Sequence, residues 1–197
     1  MNLERLLKPK AVAIVGANER MGTFGNYCAV NALQNTGHAQ VYFVNQKSSM
    51  VLGKKTYASL ADLPEVPDCV MLAIPRDAIP PVLEQAGALG VGAAIVVAAG
   101  YSEEGSAEGR AAEEALQRIA KKYDMAVMGP NCTGFLNNID KIKLWGMGGT
   151  EFDMATRKTG IAFFAQSGTM GIHAISCPYV DTSYVFSMGN SLSLIHI

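Results

Sequence analysis

Residues Ala11–Gly25 read AVAIVGANERMGTFG, and this stretch decides the fold of the chain. Its apolar start, Ala11–Val15, predicts a short buried strand, and the glycine-bearing segment Gly16–Gly22 predicts a loop. A helix is then predicted to begin at Thr23–Phe24. A strand that changes into a helix at glycine leaves backbone N–H groups free at the positive end of the helix dipole, where they can bind an anion. We therefore predict that this loop holds the phosphates of a nucleotide-like cofactor.

The glycine spacing leaves the identity of that cofactor open. Gly16, Gly22 and Gly25 are spaced G-x5-G-x2-G, which differs from the G-x-G-x-x-G dinucleotide fingerprint. The next predicted strand, Val41–Val44, is followed by Asn45-Gln46-Lys47, where NAD sites usually carry an acidic residue for the ribose. A lysine suits a phosphorylated ribose, so NADP and coenzyme A, whose ribose carries a 3′-phosphate, both fit. A glycine loop that only turns the chain is the alternative without a ligand.

Composition excludes several classes of function. The chain of 197 residues is 49% apolar and 17% charged, with a formal net charge of -1, so it lacks the basic surface that nucleic-acid binding requires. Its four cysteines are scattered, which favours reduced thiols over disulfides or a metal site. No signal peptide and no apolar run of about 18 residues is present. These features predict a cytoplasmic protein without a membrane span.

Strands and helices alternate along the first two thirds of the chain. This alternation with short connections predicts an α/β fold with a doubly wound parallel sheet. We predict Leu52–Lys55 to be a loop and Thr56–Leu63 to be a connector. The predicted strands are Ala11–Val15, Val41–Val44, Cys69–Ile74, Ala93–Val97 and Ala126–Met128, and the predicted helices are Asn2–Leu7, Thr23–Gln34, Ala78–Leu89 and Ser106–Tyr123.

The carboxyl ends of these strands carry small, polar or turn-forming residues. In doubly wound sheets the ligand binds beyond these ends, so we expect the residues to converge on one rim. The rim is predicted to contain Gly16–Gly22, Asn45–Lys47, Pro75, Ala98–Gly100 and Gly129–Cys132. Within it, Cys132 has no histidine nearby in sequence that could activate it, which favours a buried structural thiol over a nucleophile.

A second strand–helix unit follows a glycine-rich segment. Asn138–Arg157 is predicted to be an exit hairpin or linker. Beyond it we predict strand Ile161–Ala165, a loop at Gln166–Gly168, a helix from Thr169 to about Cys177 and a strand at Tyr184–Ser187. Ser167 is either a simple N-cap or part of a second phosphate site.

The second unit is too small to close a core of its own, which predicts a truncated chain. The last residues, Leu192–Ile197, read LSLIHI and match what a sequencing-library adapter encodes, so we expect native sequence to end near Ser191. The predicted organisation is a first domain at 1–138, a linker at 139–158, an incomplete second domain at 159–191 and an artefactual tail at 192–197.

Several motifs taken in order resemble one family. LLKPKAVAIVGANERMGTFG, VYFVNQK, CVMLAIP, AAIVVAAGYSEEG, MGPNCTGF and AFFAQSGTMG resemble the NDP-forming acyl-CoA synthetases, relatives of the succinyl-CoA synthetase alpha subunit. The resemblance extends to about Asn190 and implies a Rossmann-like CoA-binding domain followed by the start of a flavodoxin-like ligase domain. It implies that Asn18–Phe24 wrap the CoA phosphates, that Lys47 lies near the nucleotide phosphates, that Ala98–Gly100 contact CoA, and that the helix start at Ser167–Thr169 faces the phosphate of a phosphohistidine.

The rim and the resemblance together give one set of candidate residues. The predicted cofactor-binding residues are Gly16, Ala17, Asn18, Glu19, Arg20, Met21, Gly22, Thr23, Phe24, Asn45, Lys47, Ile74, Pro75, Ala98, Ala99, Gly100 and Asn131, and the predicted phosphate-binding residues are Ser167, Gly168 and Thr169. We predict no metal ligand and no catalytic residue, because the family's phosphohistidine falls in a later segment; His38, His173 and His196 do not take its place.

The resemblance implies an acid–thiol ligase that phosphorylates a carboxylic acid and transfers its acyl group to CoA, or uses the acyl-CoA. It also implies that ATP or ADP with Mg²⁺ is bound by a partner, an ATP-grasp beta subunit or domain, in a homo- or hetero-oligomer. Ile172 stands where succinate-specific members carry tyrosine, which favours another acid. We expect these 197 residues to be inactive alone. Two alternatives stay open: a CoA-binding regulatory or acetyltransferase-associated module, and, well behind, an NADP-dependent oxidoreductase.

Overall fold

The computed structural model of the protein describes residues 3–35, 39–148, 160–177 and 179–190. His38, the second half of the predicted linker and the predicted tail lie outside the described residues. None of the described helices has the length and apolar character needed to traverse a bilayer.

Seven strands form the first sheet. In chain order they are β1 (Ala11–Val15), β2 (Gln40–Val44), β3 (Met50–Val51), β4 (Lys54–Tyr57), β5 (Cys69–Leu72), β6 (Ala93–Val96) and β7 (Ala126–Met128). Their order across the sheet is β3-β4-β2-β1-β5-β6-β7, and every pair is parallel except β3 with β4. The central strands are buried on both faces, which is why they contain continuous apolar runs.

Helices cover both faces of this sheet. The helices are α1 (Glu4–Leu7), α2 (Phe24–Asn35), α3 (Ile79–Ala88) and α4 (Ala107–Lys122). Cys28, Ala29 and Ala32 of α2 belong to the core on one face, whereas α3 and α4 supply Leu83 and Leu116 to the core on the other. The predicted doubly wound α/β fold is therefore confirmed.

One predicted loop is wrong. The region predicted as the loop Leu52–Lys55 and the connector Thr56–Leu63 contains the β3–β4 hairpin, and a short 3-10 turn follows at Leu60–Asp62. The strand signal is weak because β4 lies near the sheet edge, with both lysines exposed and only Thr56 buried. Edge strands often carry exposed lysines, since these discourage pairing with other chains.

Successive strands are added to the sheet first on one side of β1 and then, from β5 onward, on the other side. From β1 the chain passes through α2 to β2 on one side, and β5 then pairs with β1 on the other side. The carboxyl ends of β1 and β5 thus border the crevice at the topological switch point, where doubly wound sheets bind their ligands.

A second, four-stranded sheet follows. It contains β8 (Gly134–Asn137), β9 (Ile142–Trp145), β10 (Ile161–Ala165) and β11 (Thr182–Ser187) in the order β10-β11-β8-β9, with α5 (Gly168–Ser176) between β10 and β11. The β10–β11 pair is parallel and the other pairs are antiparallel. β8 starts this sheet within the range 1–138 that was predicted for the first domain, so the domain boundaries stay predictions.

The two sheets share a core. Phe135 of β8 and Phe186 of β11 are buried in the same cluster as β1 and α2, and their rings stack with centroids 5.6 Å apart. On the opposite face of the second sheet, Trp145 and Val185 are buried beneath α5. The ends of both sheets are thereby fixed relative to each other.

Candidate functional site

Gly16 brings the first loop against the neighbouring strand. Its backbone has φ +90°, and a Cβ at this position would lie 2.4 Å from the carbonyl oxygen of Ala73, which follows β5. Any larger residue would push the loop away from the switch point. Gly25, in the first turn of α2, is equally constrained, because its Cβ would lie 2.1 Å from the carbonyl oxygen of Gly16.

Asn18 organises the loop rather than facing a ligand with its polar atoms. Its Nδ2 donates to the Gly16 carbonyl at 3.0 Å, and its Oδ1 accepts from Arg20 N at 2.9 Å and from Thr23 Oγ1 at 3.0 Å. Glu19 is also engaged, since its carboxylate accepts from Leu52 N at 2.8 Å. These bonds hold the loop between β1 and α2 in one conformation.

The start of α2 leaves donors available. Among the described residues, no acceptor is found for the backbone N–H groups of Phe24 or Gly25, which belong to the 12-residue helix α2. Nor does the guanidinium of Arg20 find an ion-pair partner in the described part of the chain. Free amides at a helix N-terminus beside a cation can bind a phosphate.

Lys47 is positioned by Asn45. Asn45 Nδ2 donates to the Ala17 carbonyl at 2.7 Å, and Asn45 Oδ1 accepts from Lys47 N at 2.7 Å. The turn after β2 is therefore tied to the first loop. In the four described ranges Lys47 Nζ has no ion-pair partner, so its charge is available to an anionic ligand.

A first cleft lies between this turn and α3. Its volume is about 430 Å³, and Gly16, Asn45, Lys47, Ile74 and Pro75 line it. The remaining wall is largely apolar, and part of it comes from the turn after β4 and from α3 with its N-cap residue. Those residues, which were absent from the predicted set, are Ala58, Ser59, Leu60, Ala78, Val82 and Gln85. An apolar slot with a lysine at its rim is suited to a flat base attached to a phosphorylated sugar.

A second cleft adjoins the first along Ala73–Pro75. Its volume is about 360 Å³, and its predicted lining residues are Asn18, Thr23, Phe24, Ile74, Pro75, Ala98 and Ala99. Arg76 also lines it and was missed, although its position directly after the strand-end Pro75 is a usable signal. The Arg76 guanidinium donates to the Gly100 carbonyl at 2.8 Å and pairs with Glu108 at 3.0 Å.

A third pocket, of about 250 Å³, lies at the start of α5. It is lined by Asn131, Thr133, Met147, Gln166, Ser167, Gly168, Thr169 and Ser187. Ser167 occupies the N-cap position, but its side chain forms no capping hydrogen bond. The hydroxyl oxygen of Thr133 is buried, with no hydrogen-bond partner in the parts of the chain that the structure covers. The pocket thus has hydroxyl groups and a helix N-terminus that are not committed to the fold.

The third pocket is joined to the rim of the second cleft. Asn131, with φ +56°, donates its backbone N–H to the Ala98 carbonyl at 2.8 Å. The structure thus brings together 14 predicted residues in three adjoining spaces: Gly16, Asn18, Thr23, Phe24, Asn45, Lys47, Ile74, Pro75, Ala98, Ala99, Asn131, Ser167, Gly168 and Thr169. Ala17, Glu19, Arg20, Met21, Gly22 and Gly100 do not line these spaces, and Ala17 is fully buried.

Cys132 and His173 both lie in environments that are set by the fold. Burial raises the pKa of the Cys132 thiol to about 12, which is the environment of a structural thiol. His173 lies in α5, where its ring nitrogen Nδ1 is 2.8 Å from the carbonyl oxygen of Thr169. Within the described ranges, no three His, Cys, Asp or Glu side chains are grouped so that they could hold a metal ion.

Known proteins share this fold and sequence pattern. Residues 10–138 match the family model of the CoA binding domain. The chain is 38% identical over 173 residues to trans-feruloyl-CoA synthase FCS1 from an unknown prokaryotic organism, covering 85% of this chain and 24% of that protein. It is 34% identical over 195 residues to the ADP-forming acetate–CoA ligase I of Archaeoglobus fulgidus, covering 98% of this chain and 27% of that protein.

A solved structure shows the same arrangement. Acetyl-coenzyme A synthetase 1 of Ca. Korarchaeum cryptofilum, solved in complex with phosphate and ADP, superposes with a TM-score of 0.85 at 29% identity, over 97% of this chain and 40% of that one. This chain therefore spans about a quarter of the curated relatives and two fifths of the solved relative. The chain belongs to the family of CoA-binding domains, in the form that ADP-forming acyl-CoA synthetases contain.

Proposed function

We propose that this chain is the CoA-binding part of an NDP-forming acid–CoA ligase, which makes or uses acyl-CoA thioesters through a phosphohistidine supplied by another segment. One observation carries the proposal: the first cleft, the second cleft and the third pocket adjoin in that order. Lys47 stands at one end and the uncommitted hydroxyls of the third pocket stand at the other. CoA is an elongated molecule with a phosphorylated ribose at one end and a thiol at the other, and it fits such a track.

Each part of the track has a role in this proposal. Lys47 pairs with the ribose 3′-phosphate, and the base lies in the apolar slot of the first cleft. The free N–H groups of Phe24 and Gly25, with Arg20, bind the diphosphate. The thiol end passes Ala98–Gly100 toward the third pocket, where Ser167–Thr169 bind the phosphoryl group that leaves the activated acid.

The nucleotide is handled elsewhere in this proposal. ATP or ADP with Mg²⁺ binds to an ATP-grasp beta subunit or domain, and the assembly is a homo- or hetero-oligomer. The substrate is a carboxylic acid or its acyl-CoA, and Ile172 favours an acid other than succinate. The alternatives are a CoA-binding regulatory or acetyltransferase-associated module and an NADP-dependent oxidoreductase. The third pocket favours the ligase, because a module that only binds CoA needs no second anion site.

Calorimetric titration of the chain with CoA and with NADP separates these classes. We expect CoA to bind and NADP to bind at least about tenfold more weakly, a difference of 1.4 kcal/mol. Gly16→Ala, at a position with φ +90°, places a methyl group against the Ala73 carbonyl oxygen and should abolish CoA binding. Gly90→Ala is the matched control, because Gly90 also has positive φ but has no atom within 4 Å of an added Cβ. Tight NADP binding without CoA binding would overturn the proposal.

A further inference from the structure

Gly100, at the end of the Ala98–Gly100 segment, is held from two sides. Glu103 Oε1 accepts from Gly100 N at 2.6 Å and from Tyr101 N at 3.2 Å. On the other side, the Arg76 guanidinium donates to the Gly100 carbonyl at 2.8 Å. A carboxylate that accepts two backbone N–H groups makes charge-assisted bonds, which are about twice as strong as neutral ones. The segment is therefore fixed by side chains that the sequence analysis did not place in the site.

The other oxygen of Glu103 contacts the second unit. Glu103 Oε2 accepts from Asn190 Nδ2 at 2.5 Å, and the same amide group donates to Glu113 Oε2 at 2.8 Å. Asn190 comes directly after Gly189, whose N–H donates to the Gln166 carbonyl at 3.2 Å. Asn190 N also donates to the Pro130 carbonyl at 2.9 Å. One carboxylate thus connects the rim of the second cleft with the loop that opens the third pocket.

We propose that Glu103 is a positioning residue that, through Asn190, holds the Ala98–Gly100 rim in place relative to the Gln166–Thr169 loop. The inference rests on the proposed function. That function places the thiol end of CoA at the Ala98–Gly100 segment and a phosphoryl group at the Gln166–Thr169 loop. Reaction between two bound groups depends on their separation and orientation, so a fixed connection between the segments serves the transfer. Glu104 is next in sequence and exposed, and its carboxylate forms no hydrogen bond or ion pair with the residues that the structure describes.

Amide hydrogen exchange on the 197-residue chain tests the connection. In Glu103→Gln, we expect exchange to accelerate about tenfold or more at 98–101, which Glu103 bonds directly, and also at 166–169, which it reaches through Asn190 and the neighbouring Gly189. Asn190→Ala should accelerate exchange at the same two segments. The double variant should exchange no faster at 166–169 than the faster single variant, because each change by itself already breaks the contact between Glu103 and Asn190. Glu104→Gln is the matched control and should behave like the parent.

If Glu103 holds only the Ala98–Gly100 rim, the pattern of hydrogen exchange is different. Acceleration at 98–101 alone in Glu103→Gln, with 166–169 unchanged in both single variants, would overturn the inference. Asn190→Ala keeps the test valid if Glu103→Gln fails to fold, because it breaks the contact from the other side.

Calorimetry with CoA on the same variants separates this inference from the proposed function. We expect Glu103→Gln to weaken CoA binding about three- to tenfold, with Glu104→Gln unchanged. If the parent binds CoA and Glu103→Gln binds it with the same affinity, the inference is overturned and the proposed function is left intact. A parent that does not bind CoA would overturn the proposed function, and the exchange pattern would still decide whether Glu103 connects the two segments.

Discussion

Lys143 is a lysine whose side chain is buried in the fold. It lies in β9, with 2% of its surface exposed, and burial lowers the pKa of its side chain from 10.5 to about 8. Below pH 8 the side chain is charged in both the folded and the unfolded protein, so the folded state carries a desolvation cost. Between pH 8 and 10.5 the Lys143 side chain binds fewer protons in the folded protein than in the unfolded protein, and its desolvation cost disappears as pH rises.

Lys143→Met should therefore stabilise the protein in a pH-dependent way. We expect a gain on the order of 3 kcal/mol at pH 7, falling toward zero near pH 10.5, as measured by urea unfolding of variant and parent at each pH. Comparing the two proteins at the same pH cancels the titration of the cysteines and tyrosines. Lys141→Met, an exposed position in the same hairpin, is the control and should change stability by less than about 0.5 kcal/mol. A gain that does not change with pH would show that the lysine charge is not the cause.

At the level of elements, the starts of α4 and α5 differ. Ser106 caps α4 by accepting from Gly109 N at 2.9 Å, whereas Ser167 at the start of α5 makes no capping bond. A serine that caps contributes about 1 kcal/mol to stability. A serine that does not cap contributes little, and its hydroxyl is available to a ligand.

The two serines should respond oppositely to alanine. Ser106→Ala should lower the free energy of unfolding by about 1 kcal/mol and leave phosphate binding unchanged. Ser167→Ala should leave the free energy of unfolding within about 0.5 kcal/mol of the parent and weaken inorganic phosphate binding several-fold. Chemical denaturation and phosphate titration monitored by ³¹P NMR measure the two effects. Loss of stability in Ser167→Ala without loss of phosphate binding would make Ser167 an ordinary cap.

Sequence patterns specified some elements better than others. β1, β7 and β10 were predicted at their observed bounds, because continuous apolar runs end at glycine or at polar residues. The β3–β4 hairpin was missed, since the exposed Lys54 and Lys55 give no apolar alternation. β8 was also missed, because its burial depends on the partner strand β11, which lies about 50 residues later in the chain.

The candidate site also contains parts that the sequence predicts and parts that it does not. The glycine loop, Lys47 and the strand ends were predictable, because their positions follow from topology. The apolar wall from α3 was not, since Val82 and Gln85 reach the first cleft only through the packing of that helix. The contact between Glu103 and Asn190 was not predictable either, because the two residues are 87 positions apart in the chain.

At the level of the whole molecule, α2 serves both sheets. Its first turn follows the glycine loop after β1, and its Asn31 is buried against the second sheet. Asn31 Nδ2 donates to the Trp145 carbonyl at 2.7 Å and to the Met147 carbonyl at 3.0 Å. Met147 lines the third pocket, so this side chain helps to place that pocket relative to the first loop.

Asn31→Ala should destabilise the protein by about 1–3 kcal/mol, because two carbonyl groups lose a donor in a buried region. Thermal and urea unfolding measure the change. Gln34→Ala, an exposed position on the same helix, is the control and should have little effect. Equal stability of the Asn31 variant and the parent would mean that packing alone holds α2 against β9.

The most direct test of the account is calorimetric binding of CoA and of dephospho-CoA, which lacks the ribose 3′-phosphate. The two ligands are titrated into the parent, Lys47→Ala and Lys55→Ala, the last of which removes a nearby lysine outside the three spaces. We predict that the parent binds CoA about tenfold or more tightly than dephospho-CoA, and that only Lys47→Ala removes this preference. Equal binding of both ligands by the parent, or a preference that survives in Lys47→Ala, would contradict the assignment of the lysine and the track that begins at it.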